Sequence, residues 1–383
     1  MVKRYVGGVL SANTFSVTTT SASGFFNSSN HMQYKQASVW PAQYLRPATV
    51  DYLIVAGGGS GGGWTYDGGG GGGGGLVTAT GVSITAGTLS ITVGGGGSFT
   101  TNTVSPGQNS NISGAGITNT VATGGGGGSS FNGTIYVNGG AGGSGGGAGG
   151  SGTGGAASPS GQGNAGGNGA QGSKNAAGGG GGAGATGAVG TANGAGGKGG
   201  DGLISALLPS VSSTSSNTLG TGTLSFTVAS GLTFVAGQAI RVYNSVGNYM
   251  YGTVNSYSAT TLSFNSVGFV GSGTYTSWTI DYAFSGGGGG SSEAATNAGG
   301  ASGMGGGGKG AGNQQGVTAG IANSGGGAGG GYGGSGLNGG SGIVVVRHSS
   351  SSSQALSYIG TPTIYTSGGY TIYMFTNSGS LTF

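Results

Sequence analysis

Residues 61–77 read GGGWTYDGGGGGGGGLV, and whether such a stretch can fold decides the architecture. Glycine loses more backbone freedom on folding than any other residue. Fixing each residue costs roughly 1–2 kcal/mol, and glycine has no side chain whose burial offsets that. The stretch is therefore either a linker or a segment held by its own main chain. The question covers much of the molecule, because 105 of the 383 residues are glycine, about four times average usage.

Two apolar runs bracket the glycine. VDYLIVA at 50–56 is continuous and β-prone, the pattern of a strand covered on both faces. GIVVVR at 342–347 is its expected counterpart. A linker needs no such bookends, so a closed glycine-rich domain is expected over 49–202 and 285–348, sealed by strands at 50–56 and 343–347. Within it, GGAGGSGGGAGGSGTGG at 139–155 repeats in threes, which matches polyproline-II geometry. Such segments packed side by side could pair N–H with C=O between neighbours, satisfying every buried main-chain group, with Cα–H···O contacts adding a smaller term. Collagen is excluded, because Gly147 breaks the register and Pro159 is the only proline between 139 and 202. A flexible linker stays open as the rival. The expected fold class is mostly β plus a polyglycine/polyproline-II helix bundle forming a layered slab, with little α-helix.

The rest of the chain divides by pattern. At 203–284 the alternation of Leu224, Phe226 and Val228, then Ile240 and Val242, then Leu262 and Phe264 predicts an inserted antiparallel β domain. Trp278 is expected in its core. VSITAGTLSITVG at 82–94 predicts two strands around an Ala86-Gly87 turn. Residues 98–122 read as a long, uncharged polar loop, a recognition loop or a solvated edge. At 349–383 a serine-rich connector leads to a hairpin turning at Gly368-Gly369. Residues 1–48 hold one or two short strands and a short helix over FFNSSNHMQYKQASVWP, with Asn27 or Ser28 as N-cap and Pro41 as stop.

Composition excludes several functions. Nine basic and five acidic residues are scattered, so no basic stripe for nucleic acid is present. The chain has no cysteine, and His31 and His348 cannot build a zinc site without help from the few carboxylates. No cofactor is expected. The N-terminal sequence is a poor signal peptide, and no run of about 18 apolar residues could span a membrane. GMGGGGKG at 303–310 has a phosphate-loop lysine, Lys309, but Gly310 stands where Ser or Thr is required. Paired carboxylates and nucleophile–base signatures are absent, so a non-enzymatic protein is expected.

VDYLIVAGGGSGGG, VSITAGTLSITVGGGG and GGSGIVVVR together resemble the glycine-rich domain of bacteriophage tail-fibre and adhesin proteins, the marine type especially. The opening MVKRYVGGVLSANTFSVTTTSASGFFN resembles a virion-attachment segment, and the 203–284 insertion resembles a β module of such fibres. The tail PTIYTSGGYTIYMFTNSGSLTF resembles a strand pair that more often precedes the glycine-rich domain; here it follows. The resemblance implies a virion protein made in the host cytoplasm without an export signal, whose edge loops contact a host receptor. The partners implied are other virion proteins through residues 1–48 and a host glycan or outer-membrane protein, with a homotrimer left open. An architectural capsid decoration, head fibre or tail component is the alternative, and an ice-binding protein a remote one.

Candidate contacts follow. Trp64, Tyr66 and Asp67 sit on an excursion between glycine tracts, where aromatics stack on sugar rings and a carboxylate bonds their hydroxyls; shielding the slab end is the plainer alternative. Tyr332 in GGGYGG is analogous. Phe25, Phe26, Met32 and Trp40 form an expected contact surface toward the virion or symmetry mates, since 48 residues are too few for an independent core.

Overall fold

The computed structural model describes residues 16–17, 22–23, 44–63, 66–100, 105–130, 137–294, 299–313, 316–334 and 336–383. The chain forms two units, Met1–Arg46 and Pro47–Phe383. In the first, strands β1 (Ser16–Val17) and β2 (Ala22–Ser23) pair antiparallel. The expected helix after Phe26 and its caps lie outside the described residues, as do Phe25, Phe26, Met32 and Trp40.

In the second unit the two apolar bookends meet. β3 (Thr49–Val55) and β17 (Ile343–Ser349) pair antiparallel, Val345 opposite Leu53. They form the middle of a five-stranded sheet in the order β19 (Thr363–Ser367), β20 (Tyr370–Phe375), β17, β3, β4 (Leu76–Ser83). The hairpin β19–β20 turns through Gly368 and Gly369, whose φ values of 57° and 81° suit glycine.

Both faces of this sheet are covered, which explains the unbroken apolar runs. On one face Leu53, Val55, Ile343, Val345, Ile372 and Met374 enter a core shared with residues 207–284. On the other, Tyr52, Ile54, Val344, Val346, Tyr373 and Phe375 pack against a second five-stranded sheet. Its order is β18 (Ser357–Ile359), β21 (Gly379–Thr382), β5 (Thr88–Thr92), β6 (Ser110–Gly114), β7 (Ile117–Ala122). Burying each large apolar side chain contributes about 1.5–3 kcal/mol.

Residues 203–284 form a seven-stranded sheet. Its path is β11 (Gly222–Thr227), β14 (Thr261–Val270), β13 (Asn248–Ser258), β12 (Ala239–Ser245), β16 (Trp278–Phe284), β8 (Leu203–Ile204), with β9 (Val211–Ser213) also on β16. A small pair, β10 (Asn217–Thr218) and β15 (Thr274–Tyr275), stands beside it. Trp278 is in its core, its Nε1 donating to the Ser215 and Tyr275 carbonyls at 2.9 and 3.1 Å.

Three expectations are corrected. β4 and β5 do not form a hairpin with each other: the chain crosses between sheets at 84–87, and β5 pairs with β6 and β21 instead. The polar loop expected over 98–122 is partly a hairpin, because β6 and β7 pair through its second half. The polyglycine/polyproline-II helix bundle is not present: the described residues contain no helix, and their regular structure is antiparallel sheet throughout.

The glycine tracts lie between these sheets' strands and carry no helix or strand assignment, yet they are densely hydrogen-bonded. In the tract 68–75 the N–H groups of Gly68, Gly71 and Gly74 donate to the carbonyls of Gly331, Ala328 and Gly325. Those of Gly69, Gly72 and Gly75 donate to Ser129, Gly126 and Thr123, and those of Gly70 and Gly73 to Gly178 and Gly181. These bonds measure 2.7–3.1 Å. Through its N–H groups this tract therefore bonds three neighbouring segments, antiparallel to two and parallel to the third, each receiving every third N–H, while its carbonyls accept from three more, 56–63, 144–147 and 288–291. A Cβ added at any of Gly68 to Gly74 would meet a main-chain atom of another segment closer than 3.0 Å. Glycine is required here for closeness of approach.

Two predictions follow from this packing. Gly71→Ala drives a methyl group against the Gly59 and Ser60 carbonyl oxygens, an overpacking that costs about 3 kcal/mol or more. Gly220→Ala meets nothing within 4 Å and leaves the melting temperature unchanged; equal melting of both variants would contradict the packing. His348 is buried against Tyr373 and Phe383, and burial holds its imidazole below its ordinary value of 6.5, the Ser349 carbonyl opposing weakly. The unfolded chain binds that proton more readily, so stability is intact above 6.5 and falls as pH drops below it. His348→Phe should flatten the melting-temperature loss between about pH 7 and 5, and a slope parallel to wild type would refute the assignment.

Candidate functional site

The paths of the tracts place their turns at one end. β3 runs into the segment 56–63, which returns as 68–75 into β4, bonded antiparallel from Ala56–Gly75 to Gly62–Gly69. Gly62 and Gly69 are thus at the end of this ladder far from the sheet. The segments 144–149 and 325–331 run the same way as 56–63, since both lie antiparallel to 68–75. The turns that follow them, at 149–152 and from Tyr332, therefore reach the same end.

Asp67 ties these turns together. It forms a main-chain bridge with Tyr332, and its Oδ2 accepts from Gly150 N at 2.6 Å. The adjoining Gly149 N donates to Ser129 Oγ at 2.5 Å, and Gly68 N donates to Ser291 Oγ at 2.7 Å. Serine hydroxyls and one carboxylate thus accept from main-chain N–H groups where the tracts turn. Beside them Glu293 Oε2 accepts from Asn175 N at 3.0 Å, and Ser292 Oγ donates to the Gly194 carbonyl at 2.6 Å, drawing in the turns at 171–175 and 191–195.

The side chains differ sharply in exposure. Tyr66 is 42% exposed and Tyr332 half-buried, whereas Asp67 is fully buried. Burial pushes the Asp67 carboxyl up to about 6; the Gly150 N–H opposes this, and the Glu293 charge adds to it. Burial also raises the Tyr332 hydroxyl, reinforced by Glu293, Tyr66 and Asp67. The structure brings Tyr66, Asp67 and Tyr332 to one place, although they lie at opposite ends of the glycine-rich sequence. Asp67 lies beneath the surface, bridged to Tyr332 and not itself exposed for contact. Trp64 lies outside the described residues.

Sequence reasoning missed Gly150, Ser129, Ser291, Glu293 and Asn175. The only signal was a serine or carboxylate ending a glycine run, as in GGGGGSS at 286–292. The opposite end of this unit holds the chain entry at Thr49 and the β4–β5 crossover, where Gly87 and Phe383 exchange two hydrogen bonds of 3.0 Å.

Elsewhere, a groove of about 470 Å³ runs between Thr253 and Val267 of the β13–β14 pair and the tracts around Ala301, Lys309 and Ile321. Lys309 is its only charged lining residue among the described residues, and its main-chain N–H donates to Thr318 Oγ1 at 2.7 Å. The described residues hold no cluster of three or more metal-ligating side chains, and no helix long and apolar enough to cross a membrane.

Residues 36–349 match a family model described as a glycine-rich domain. No curated protein and no solved structure matches the chain.

Proposed function

This chain belongs to the glycine-rich domain family, and from that premise we propose that it is a bacteriophage virion protein, a tail-fibre adhesin that presents turns to a host receptor. The observation that carries this reading is the polarity of the second unit. Its chain entry at Thr49 and its last residue lie at the sheet end, and the turns bearing Tyr66 and Tyr332 lie at the other. A protein held at its entry end would offer those turns outward.

The proposed mechanism is presentation, not catalysis. Main-chain bonds and two sheet cores hold the scaffold, so the turn side chains are spared from core packing and are available for contact. Aromatic side chains at such positions supply rigid binding area at little entropic cost. Attachment is assigned to residues 1–48, with other virion proteins as partners, and a host glycan or outer-membrane protein as receptor. A homotrimer would multiply weak contacts.

Trp64→Ala combined with Tyr66→Ala is predicted to lower adsorption of particles to host cells at least tenfold while leaving the melting temperature unchanged. Undiminished adsorption would point to an architectural role without recognition. A fall in melting temperature matching the loss would show that the pair shields the end of the glycine region.

A further inference from the structure

Presentation has no use for a buried acid, yet Asp67 is one. Among the described residues its Oδ2 accepts from one other residue, Gly150 N at 2.6 Å. Its Oδ1 is buried without any hydrogen-bond partner. The residue nonetheless joins three turns: its own, the 149–152 turn through Gly150, and the one from Tyr332 through the main-chain bridge. Gly149 lies so close that a Cβ there would come 2.8 Å from the Asp67 carbonyl oxygen and 3.5 Å from Oδ2. Gly150, at φ 47°, holds the turn conformation that aims its N–H at the carboxyl.

The groups facing Asp67 give a negative charge nothing to pair with. Besides the Gly150 N–H and its own main-chain N–H, they are the Glu293 carboxylate from the tract after β16 and the Tyr332 hydroxyl from the neighbouring turn, neither of them a cation. The ion pairs among the described residues, Lys198–Asp201, Arg241–Asp281 and Arg347–Asp51, lie elsewhere. A carboxylate is stabilised by two or three donors or by water, and this one has the Gly150 N–H with only a smaller contribution from its own main-chain N–H. It gains more only if the turns lift away.

We propose that Asp67 is a proton-operated clasp: while its carboxyl is neutral the 149–152 turn and the turn from Tyr332 stay docked on it, and its ionisation releases both. The docked form holds the proton until about pH 6, whereas an exposed carboxyl loses it near 3.8. Docking is therefore favoured in acid, and opening grows as pH rises. With those two values the opening equilibrium increases about tenfold between pH 5 and pH 8.

The test is amide hydrogen exchange of the full chain at pH 5 and pH 8, corrected for intrinsic chemistry. Amides at 149–152 and 331–334 should lose about tenfold in protection on going to pH 8, while those at 70–74 keep theirs. In Asp67→Asn, which keeps an oxygen for Gly150 N but cannot ionise, protection should be the same at both pH values. Constant protection in the wild type, or pH dependence that survives in Asp67→Asn, overturns the clasp. Glu293→Gln supplies a second readout: removing a like charge should move the midpoint of opening to lower pH, and an unmoved or higher midpoint contradicts the proposal. Exchange is read without host cells, so the clasp and the adhesin reading fail separately.

Discussion

Pairing of main-chain N–H and C=O groups between glycine segments distant in sequence is the constraint on which this protein depends. A segment such as 68–75 has no side chains to bury, so its order must come from its amides. Each such bond contributes on the order of 1 kcal/mol net, about what ordering one residue costs. The glycine region is close to neutral in free energy and cannot be the source of the unit's stability. It must be carried by something that buries apolar area.

That role falls to the sheets. The β3–β17–β20 sheet is apolar on both faces, and each face completes a separate core, one with the insertion and one with the β5–β6–β21 sheet. The segments 56–63, 68–75 and 337–342 run directly into its strands β3, β4 and β17, and further tracts are hydrogen-bonded to them. Closing β3 onto β17 fixes where 56–63 and 337–342 start, and the main-chain bonds propagate from there. The Arg347–Asp51 pair at 2.9 Å, with Arg347 also over the Tyr370 ring, joins the same strands on the side facing the insertion. The division of labour leaves the turns at the far end with few structural duties.

Much of this was legible from residue pattern. VDYLIVA and GIVVVR announced a two-sided strand pair because unbroken apolar runs have no solvent face. Gly368-Gly369 announced the β19–β20 hairpin, and the period-two alternation around Phe226, Ile240 and Phe264 announced the insertion's sheet. The misreadings have a common cause. A strand's alternation specifies which residues face a core but not which strand it pairs with, so β4 and β5, adjacent in sequence and patterned alike, were read as partners when each belongs to a different sheet. β6 carries a single large apolar residue, Ile112, which is too little pattern for a strand to be read. The threefold glycine repeat was read as helix geometry, whereas the chain shows only which neighbour each amide meets. The meeting of Asp67 with Gly150 and Tyr332 left no trace at all, since glycine tracts look identical whichever neighbour they choose.

The most direct measurement is native-state hydrogen exchange resolved for the amides of Gly70 to Gly74, compared with Val344 to Val346 in β17. If main-chain pairing makes the glycine region one cooperative body with the sheets, both sets exchange with the same opening free energy and respond alike to denaturant. Glycine amides exchanging at random-coil rates beside protected β17 amides would show that the tracts are slack chain hung between sheets.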